Sequence, residues 1–295
     1  MSEPRPRRSV LYMPGSNARA LDKARQLPAD GFIFDLEDAV APEMKATARQ
    51  QIAAAVKAGG YGQRELSVRI NGLGAPGHDA DLAAIGDLPL DGIVCPKVES
   101  AAEVVRLTNA MNHAGAPANT RLWIMIETPL GVLNAREIAA EGKRPGARLA
   151  GIILGTNDIA KETRAHQTAD RAPMLYALQV SVLAARAYGL DILDGVYNNF
   201  RDAAGFRREC EQGLAFGFDG KTLIHPDQIA LANDVFSPSV EAVAEARKIL
   251  AAFARPEHQG KGAITLDGRM VELLHCEMAR RTVAIADRID GKGLR

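Results

Sequence analysis

Glu127 stands where a buried strand runs out. Trp123, Ile124, Met125 and Ile126 form an apolar run of strand length, and Glu127-Thr128-Pro129 stops it, because proline lacks a ladder donor and restricts the residue before it. In parallel α/β folds ligands bind at that edge; the competing role is a charge at the start of the next helix. Other stretches end in the same way. Asp35, Glu37 and Asp38 close FIFDLED, Arg69 and Asn71 close LSVRIN, and Lys97 and Glu99 follow GIVCP. Asn157 and Asp158 follow GIILG, Asn198 follows ILDGVY, and His225 ends KTLIH.

Oxygen ligands mixed with an arginine and a lysine suit a hard divalent cation and an anionic substrate better than zinc. No H-x-x-x-H or C-x-x-C pattern supports zinc. Magnesium takes one or two carboxylates plus water and substrate oxygens, which Glu127 and Asp158 would supply. Asp158, within GTNDIA, equally suits a cap on the following helix. Arg69 in VRIN fits either an ion pair with the DLED carboxylates or a bidentate clamp on a substrate carboxylate. Lys97 is open to Schiff-base chemistry or to a packing role. The chain has no G-x-S-x-G elbow, Walker loop or cysteine nucleophile motif, so covalent hydrolysis and triphosphate cleavage lack support.

These groups need a scaffold that gathers strand ends. Eight stretches read as buried strands: Ser9 to Met13, Phe32 to Glu37, Leu66 to Asn71, Gly92 to Val98, Leu122 to Glu127, Gly151 to Gly155, Ile192 to Tyr197 and Lys221 to His225. Helical pattern lies between them, over Glu43 to Ala58, Ser100 to His113, Ala172 to Tyr188 and Asp202 to Phe216. Strict alternation implies a parallel sheet, and eight units close a (β/α)8 TIM barrel, an α/β fold, with a C-terminal helical extension. A doubly wound sheet is the alternative, but its glycine fingerprint is missing after the first strand. Helices at Pro226 to Phe236 and Ser239 to Ala254 precede a polar linker, Pro256 to Gly262. An extended piece, Ala263 to Leu266, and a last helix from Glu272 to Asp290 follow. The expected division is a catalytic barrel over residues 1–255 and an appendage over 256–295, which covers an active site, reaches a neighbouring subunit or packs outside the barrel.

Across 295 residues, 36 basic and 36 acidic side chains cancel, so charge gives no reason to expect nucleic acid. Cys95, Cys210 and Cys276 are widely spaced and odd in number, which predicts buried thiols in a reducing, cytoplasmic setting. No apolar run approaches a membrane span, and no secretory h-region follows the basic start. Arg5, Arg7 and Arg8, set among prolines, read as a solvated tail that helps attract an anion.

The motifs RRSVLYMPGSN, FDLEDAV, VRING, CPKVES, IETPLGVLNA, GTNDIA and FGFDGKTLIHPDQI resemble, in order, those of the citrate lyase beta subunit-like acyl-CoA lyases. These belong to the HpcH/HpaI aldolase superfamily and are related to citramalyl-CoA and malyl-CoA lyases. The likeness runs from Arg8 to Ile289. It implies a TIM barrel, magnesium, a CoA thioester and a 2-keto acid as small-molecule partners, and a homotrimer or hexamer. Residue by residue, it implies Glu127 and Asp158 as metal ligands and Arg69 as holder of the substrate's carboxylate or keto end. Tyr12, Arg19 and Lys23 match the CoA-contacting set, with Thr222 and Leu223 near the thioester arm. The chain departs from the family at G-x-M-I-D, whose aspartate acts as acid/base in a neighbouring subunit. Here DGRMVELLH places Glu272 at that position, with Asp267 as a nearby second carboxylate. The implied activity is that of a magnesium-dependent acyl-CoA lyase on a malyl-CoA or citramalyl-CoA type substrate. The alternatives are a malyl-CoA thioesterase on the same scaffold and a citrate lyase beta subunit acting on a carrier-bound thioester. A non-catalytic binding protein would be expected to have lost the metal carboxylates.

Overall fold

Eight strands pair in parallel and in sequence order: β1 (Ser9–Pro14), β2 (Gly31–Asp35), β3 (Glu65–Arg69), β4 (Gly92–Cys95), β5 (Arg121–Ile126), β6 (Leu149–Leu154), β7 (Asp191–Asp194) and β8 (Gly220–Leu223). β8 returns to β1, with Val10 opposite Thr222, and closes a TIM barrel. The computed structural model of the chain describes residues 4–291. Residues 1–3 and 292–295, the outer ends of the two expected domains, lie outside the described residues.

Most strands stop earlier than the sequence suggests, because their polar ends turn to other partners. Asp35 accepts from the N–H groups of Glu37 and Ala39 (both 2.9 Å), and Asn71 N donates to Asp81 (2.8 Å). These bonds divert the backbone from the ladder into loops at the barrel mouth.

Helices fill the crossovers: α1 (Ala18–Lys23), α2 (Lys45–Ala58), α3 (His78–Ile85), α4 (Ala101–His113), α5 (Pro129–Leu133), α6 (Ala135–Ala140), α7 (Thr156–Thr163), α8 (Leu175–Tyr188), α9 (Ala203–Phe216) and α10 (Ile229–Phe236). In α4, Val104, Leu107 and Met111 are buried at helical spacing. Ser100 Oγ accepts from Glu103 N, and the Glu103 carboxylate accepts from Ser100 N. This reciprocal box satisfies two donors of the first turn, and losing the serine oxygen costs about 1 kcal/mol. The segments read as helical from Glu43 and Ala172 open as 3-10 turns, each with a proline in its first positions. The short helices α1, α3, α5, α6 and α7 carry too few turns to stand out in the sequence.

Strand alternation divides the core in two. Val10, Ile33, Val94, Trp123, Met125, Ile153 and Leu193 fill the barrel interior, with Tyr12 packed on them. The opposite faces pack under the helices. Trp123 spans the interior so closely that a Cβ on Gly151 would lie 2.2 Å from its ring. Only glycine fits there.

The basic start corrects the expectation of a solvated tail. Arg7 pairs with Glu65 (2.5 Å) and with Asp191, lies 5.0 Å over the Trp123 ring, and is largely buried. Arg8 pairs with Asp30 (2.7 Å). Both meet acids at the starts of β2, β3 and β7, so they seal the end of the barrel opposite the ligand edge. Cys95, Cys210 and Cys276 are buried and unbridged. Burial pushes the Cys95 and Cys210 thiols up to about 12, which keeps them unreactive.

The chain packs as two compact units, Arg7–Phe236 and a second unit from Ser237 onward that includes residues 4–6. The division falls before α11 (Val240–Phe253), earlier than the linker suggested, because α11 packs along α12 (Leu273–Ile289). Within this unit β9 (Ala263–Leu266) pairs antiparallel with β10 (Arg269–Glu272), a strand the sequence did not announce. Ile264 and Val271 from the hairpin join Ala252 of α11 in a small core.

Candidate active site at the barrel mouth

Because β5 stops at Ile126, the Glu127 side chain enters the mouth rather than the ladder, and it is 1% exposed. Oε1 accepts from Lys97 N at 2.9 Å. On the other side a Cβ on Gly155 would lie 2.3 Å from Oε2. The glycine that follows β6 therefore makes room for this carboxylate. Burial, with Asp158 and Glu37 nearby, pushes Glu127 up to about 7. Asp158 lies in the first turn of α7, half-buried, but the N-cap position belongs to Gly155. The Asp158 side chain makes no hydrogen bond or ion pair among the described residues, so its expected alternative as a capping residue fails.

Arg69, at the end of β3, turns its fork toward Asp35: Nε to Oδ1 is 2.7 Å and Nη2 to Oδ2 is 2.6 Å. Its guanidinium carbon lies 4.8 Å over the Tyr12 ring. Nη1 is 2.8 Å from Glu37 Oε2. That contact is an ion pair without hydrogen-bond alignment, so this buried oxygen has no hydrogen-bond partner. The side-on pair of donors is thus taken by the DLED carboxylates, as one of the two expected roles required. Nη1 also donates to Met125 Sδ (3.9 Å), so what remains for a ligand is the second N–H of Nη2.

Lys97 adopts φ +54° and places Nζ 2.8 Å from Glu37 Oε1. Burial alone would lower its pKa, but the bond to Glu37 raises it above the ordinary lysine value. A lysine held charged in this way is no Schiff-base nucleophile.

One cavity of about 330 Å³ brings together Tyr12, Asp35, Arg69, Met125, Glu127, Asp158 and Thr222. Thr222 Oγ1 donates to Asp194 O (3.0 Å), which leaves its lone pairs available to the cavity. Leu223 corrects the expectation: neighbours on a strand face opposite ways, and its side chain is fully buried beneath the helices. Arg19 and Lys23 do not line the cavity. They stand exposed on α1, four residues apart and so on one face, with no ion pair among the described residues. Glu272 and Asp267 belong to the C-terminal unit. Glu272 holds the N-cap of α12, its N–H donating to His275 Nδ1 (3.0 Å), and Asp267 pairs with Lys248. Of the remaining strand-end groups, Asn71 serves Asp81, Asn157 and Asn198 bond to each other, and His225 stacks on Phe200 at 4.4 Å.

The family model described as HpcH/HpaI aldolase/citrate lyase matches residues 8–226, from the sealed end of the barrel through β8. The chain belongs to this family. It is 48% identical over 96% of both chains to a (3S)-malyl-CoA thioesterase of Cereibacter sphaeroides. It is 34% identical to the human mitochondrial citramalyl-CoA lyase, covering 97% of this chain and 87% of that one. Among solved structures, CitE of Mycobacterium tuberculosis, in complex with magnesium, acetoacetate and coenzyme A, superposes with a TM-score of 0.72 at 31% identity. That match covers 94% of this chain and 98% of that one.

For this family member the donor set can be tested against a metal. Among the described residues no group of three or more His, Cys, Asp or Glu forms a cage. Glu127 and Asp158 are two hard carboxylates in one cavity, with Asp158 unpaired and Asp35 already held by Arg69. That arrangement fits magnesium, which keeps water and substrate oxygens in its other positions. The sequence did not show Gly155 as the glycine that makes room for Glu127, or Met125 as a wall of the cavity. GTNDIA contained the first signal, a glycine next to a strand end; the second lay in the inward parity of Met125 with Trp123. Among the described residues no helix is long and apolar enough to cross a membrane.

Proposed function

We propose that the barrel mouth binds a malyl-CoA type thioester together with magnesium and hydrolyses the thioester. The observation that carries this reading is the charge of the cavity. Asp35, Glu37, Asp38, Glu127 and Asp158 gather around Arg69 and Lys97, so that acids outnumber bases five to two at the mouth. Magnesium held by Glu127 and Asp158 would polarise the oxygens of a hydroxy or keto acid and stabilise developing negative charge. Arg69 would orient the acid's carboxylate through the N–H left on Nη2. Tyr12, Met125, Val196 and Ile224 wall the cavity and limit water. Arg19 and Lys23 on α1 would meet the phosphates of CoA. In hydrolysis, water adds to the thioester carbonyl, the C–S bond breaks, and the departing sulfur takes a proton to leave free acid and CoA thiol. The 48% identity to a malyl-CoA thioesterase favours this outcome.

Carbon-carbon cleavage is the second reading, favoured by likeness to citramalyl-CoA lyase and by a cavity suited to a keto acid. In either reaction Glu272 would serve as acid/base, brought by the C-terminal unit of a neighbouring subunit in a trimer or hexamer. Glutamate is one methylene longer than the family's aspartate, and a displacement of about 1 Å can cost on the order of 100-fold.

Incubation of malyl-CoA with enzyme and magnesium separates the readings. Free malate and CoA support the thioesterase; glyoxylate and acetyl-CoA transfer the chain to the lyases; no product removes both. Mixed oligomers of Glu272→Gln and Arg69→Ala subunits test the shared site, since only sites built from two subunits regain activity.

A further inference from the structure

Lys45 opens α2, and a cation is electrostatically misplaced in the first turn of a helix. Its side chain nonetheless turns inward, and Nζ donates to Leu36 O (2.6 Å), Glu37 O (2.6 Å) and Asn71 Oδ1 (3.2 Å). An ammonium group has three donors and no acceptor, and this pocket supplies three oxygens. Other groups hold the oxygens in place. Asn71 donates through Nδ2 to Asp81 Oδ2 (2.5 Å), Arg49 secures Asp81 (2.7 Å), and His78 Nδ1 lies 2.8 Å from Asn71 O. Two of the three oxygens belong to the segment that leaves β2. That segment carries the Glu37 carboxylate to Arg69 and Lys97, and its N–H groups at Glu37 and Ala39 hold the two oxygens of Asp35.

We propose that Leu36 O, Glu37 O and Asn71 Oδ1 form a monovalent-cation site, which the Lys45 ammonium fills as a tethered cation to fix the segment presenting Asp35 and Glu37. Leu36 O also accepts from Asn71 Nδ2 (3.1 Å) and Glu37 O from Val40 N (3.1 Å), so Lys45 supplies the shared positive charge rather than a first donor: oxygen dipoles aimed at one point repel one another unless a positive charge stands between them. Lys45 is a positioning residue, because it acts on the mouth through the backbone of residues 36 and 37. The cage does not depend on which reaction the mouth performs; only the use of the positioned segment rests on the function proposed above.

Hydrogen exchange of the amides in residues 35–41 reads the cage directly. In Lys45→Ala these amides should exchange about 10- to 100-fold faster than in the parent chain. Ammonium chloride should restore their protection, whereas tetramethylammonium chloride at equal ionic strength should not, because that ion is too large and has no N–H. Lys45→Gln keeps donors and most of the stem but no charge, so it should lose protection that ammonium cannot restore. Unchanged protection in either variant overturns the proposal, as does restoration of Lys45→Ala by both salts or by neither. If Lys45→Ala does not fold, Lys45→Gln decides alone. Malyl-CoA turnover of Lys45→Ala should rise with ammonium in step with protection. A parent enzyme without malyl-CoA turnover would count against the functional reading, while the exchange data would still judge the cage.

Discussion

Two clusters of charged side chains are built into this barrel, one beneath α9 and one at the mouth, and they balance differently. Beneath α9, Asp194 meets Arg171 (2.8 Å) and Lys221 (2.9 Å), and Lys221 also meets Glu209 (2.6 Å). Two acids face two bases. Burial alone would raise the Asp194 pKa, but Lys221 and Arg171 more than offset it and hold it below the ordinary carboxylate value. At the mouth five acids, Asp38 among them, face two bases, and Glu127, also buried, is pushed up to about 7. Burial is similar in the two places; the difference lies in the partners. A closed charge balance marks a structural cluster, and an open one marks a place for a cation that the chain itself does not supply.

Breaking the closed cluster should have the largest effect on stability. Lys221 is fully buried, and Lys221→Met would leave Asp194 and Glu209 short of a cation. A loss of about 3–5 kcal/mol is expected in denaturant titrations. A loss below about 1 kcal/mol would place the two clusters in one class.

The open cluster should respond with the opposite sign. Glu127 has a folded pKa of about 7 against 4.5 for the free side chain, so between these values the folded state keeps a proton that the unfolded state has released. Stability of the metal-free protein should therefore fall as pH rises from 4.5 through 7, by on the order of 3 kcal/mol. Glu127→Gln should flatten this slope and leave the metal-free protein more stable than the parent at pH 8. Asp194 acts in the reverse direction: its lowered pKa gives stability that is present above the unfolded value and lost as pH falls through the folded one. Thermal melts from pH 3 to 8 on both proteins check both signs.

A smaller effect is expected from Arg69→Lys. The lysine can meet one carboxylate but cannot span the two oxygens of Asp35 while presenting a further N–H to a ligand. The variant should fold and bind keto acid about tenfold more weakly, measured by calorimetry. Parental affinity would assign Arg69 wholly to Asp35 and Glu37.

The barrel was legible because eight apolar runs, each ended by a polar residue or proline, announce strands whatever they pack against. Glu127 and Arg69 were legible for the same reason, as residues at strand ends, and Asp158 as an acid in the turn that follows one. Their pairing was not. Nothing in the order of residues says that Asp35 takes the fork of Arg69 while Asp158 takes no partner, since that depends on which side chains converge across the mouth. Leu223 illustrates a different loss: two adjacent strand residues cannot both face the cavity, and Thr222 has the inward parity. Arg7 and Arg8 looked like a tail because their partners, Glu65, Asp191 and Asp30, are remote in sequence. β10 went unseen because RMVE holds a single β-branched residue.

The measurement that bears most directly on the open balance is a calorimetric titration of the metal-free protein with magnesium near pH 7, repeated for Glu127→Gln and Asp158→Asn. One site is expected in the parent, with proton release as the Glu127 carboxyl becomes a ligand, and both variants should lose it. Magnesium binding that survives either substitution, or its absence from the parent, would contradict the assignment.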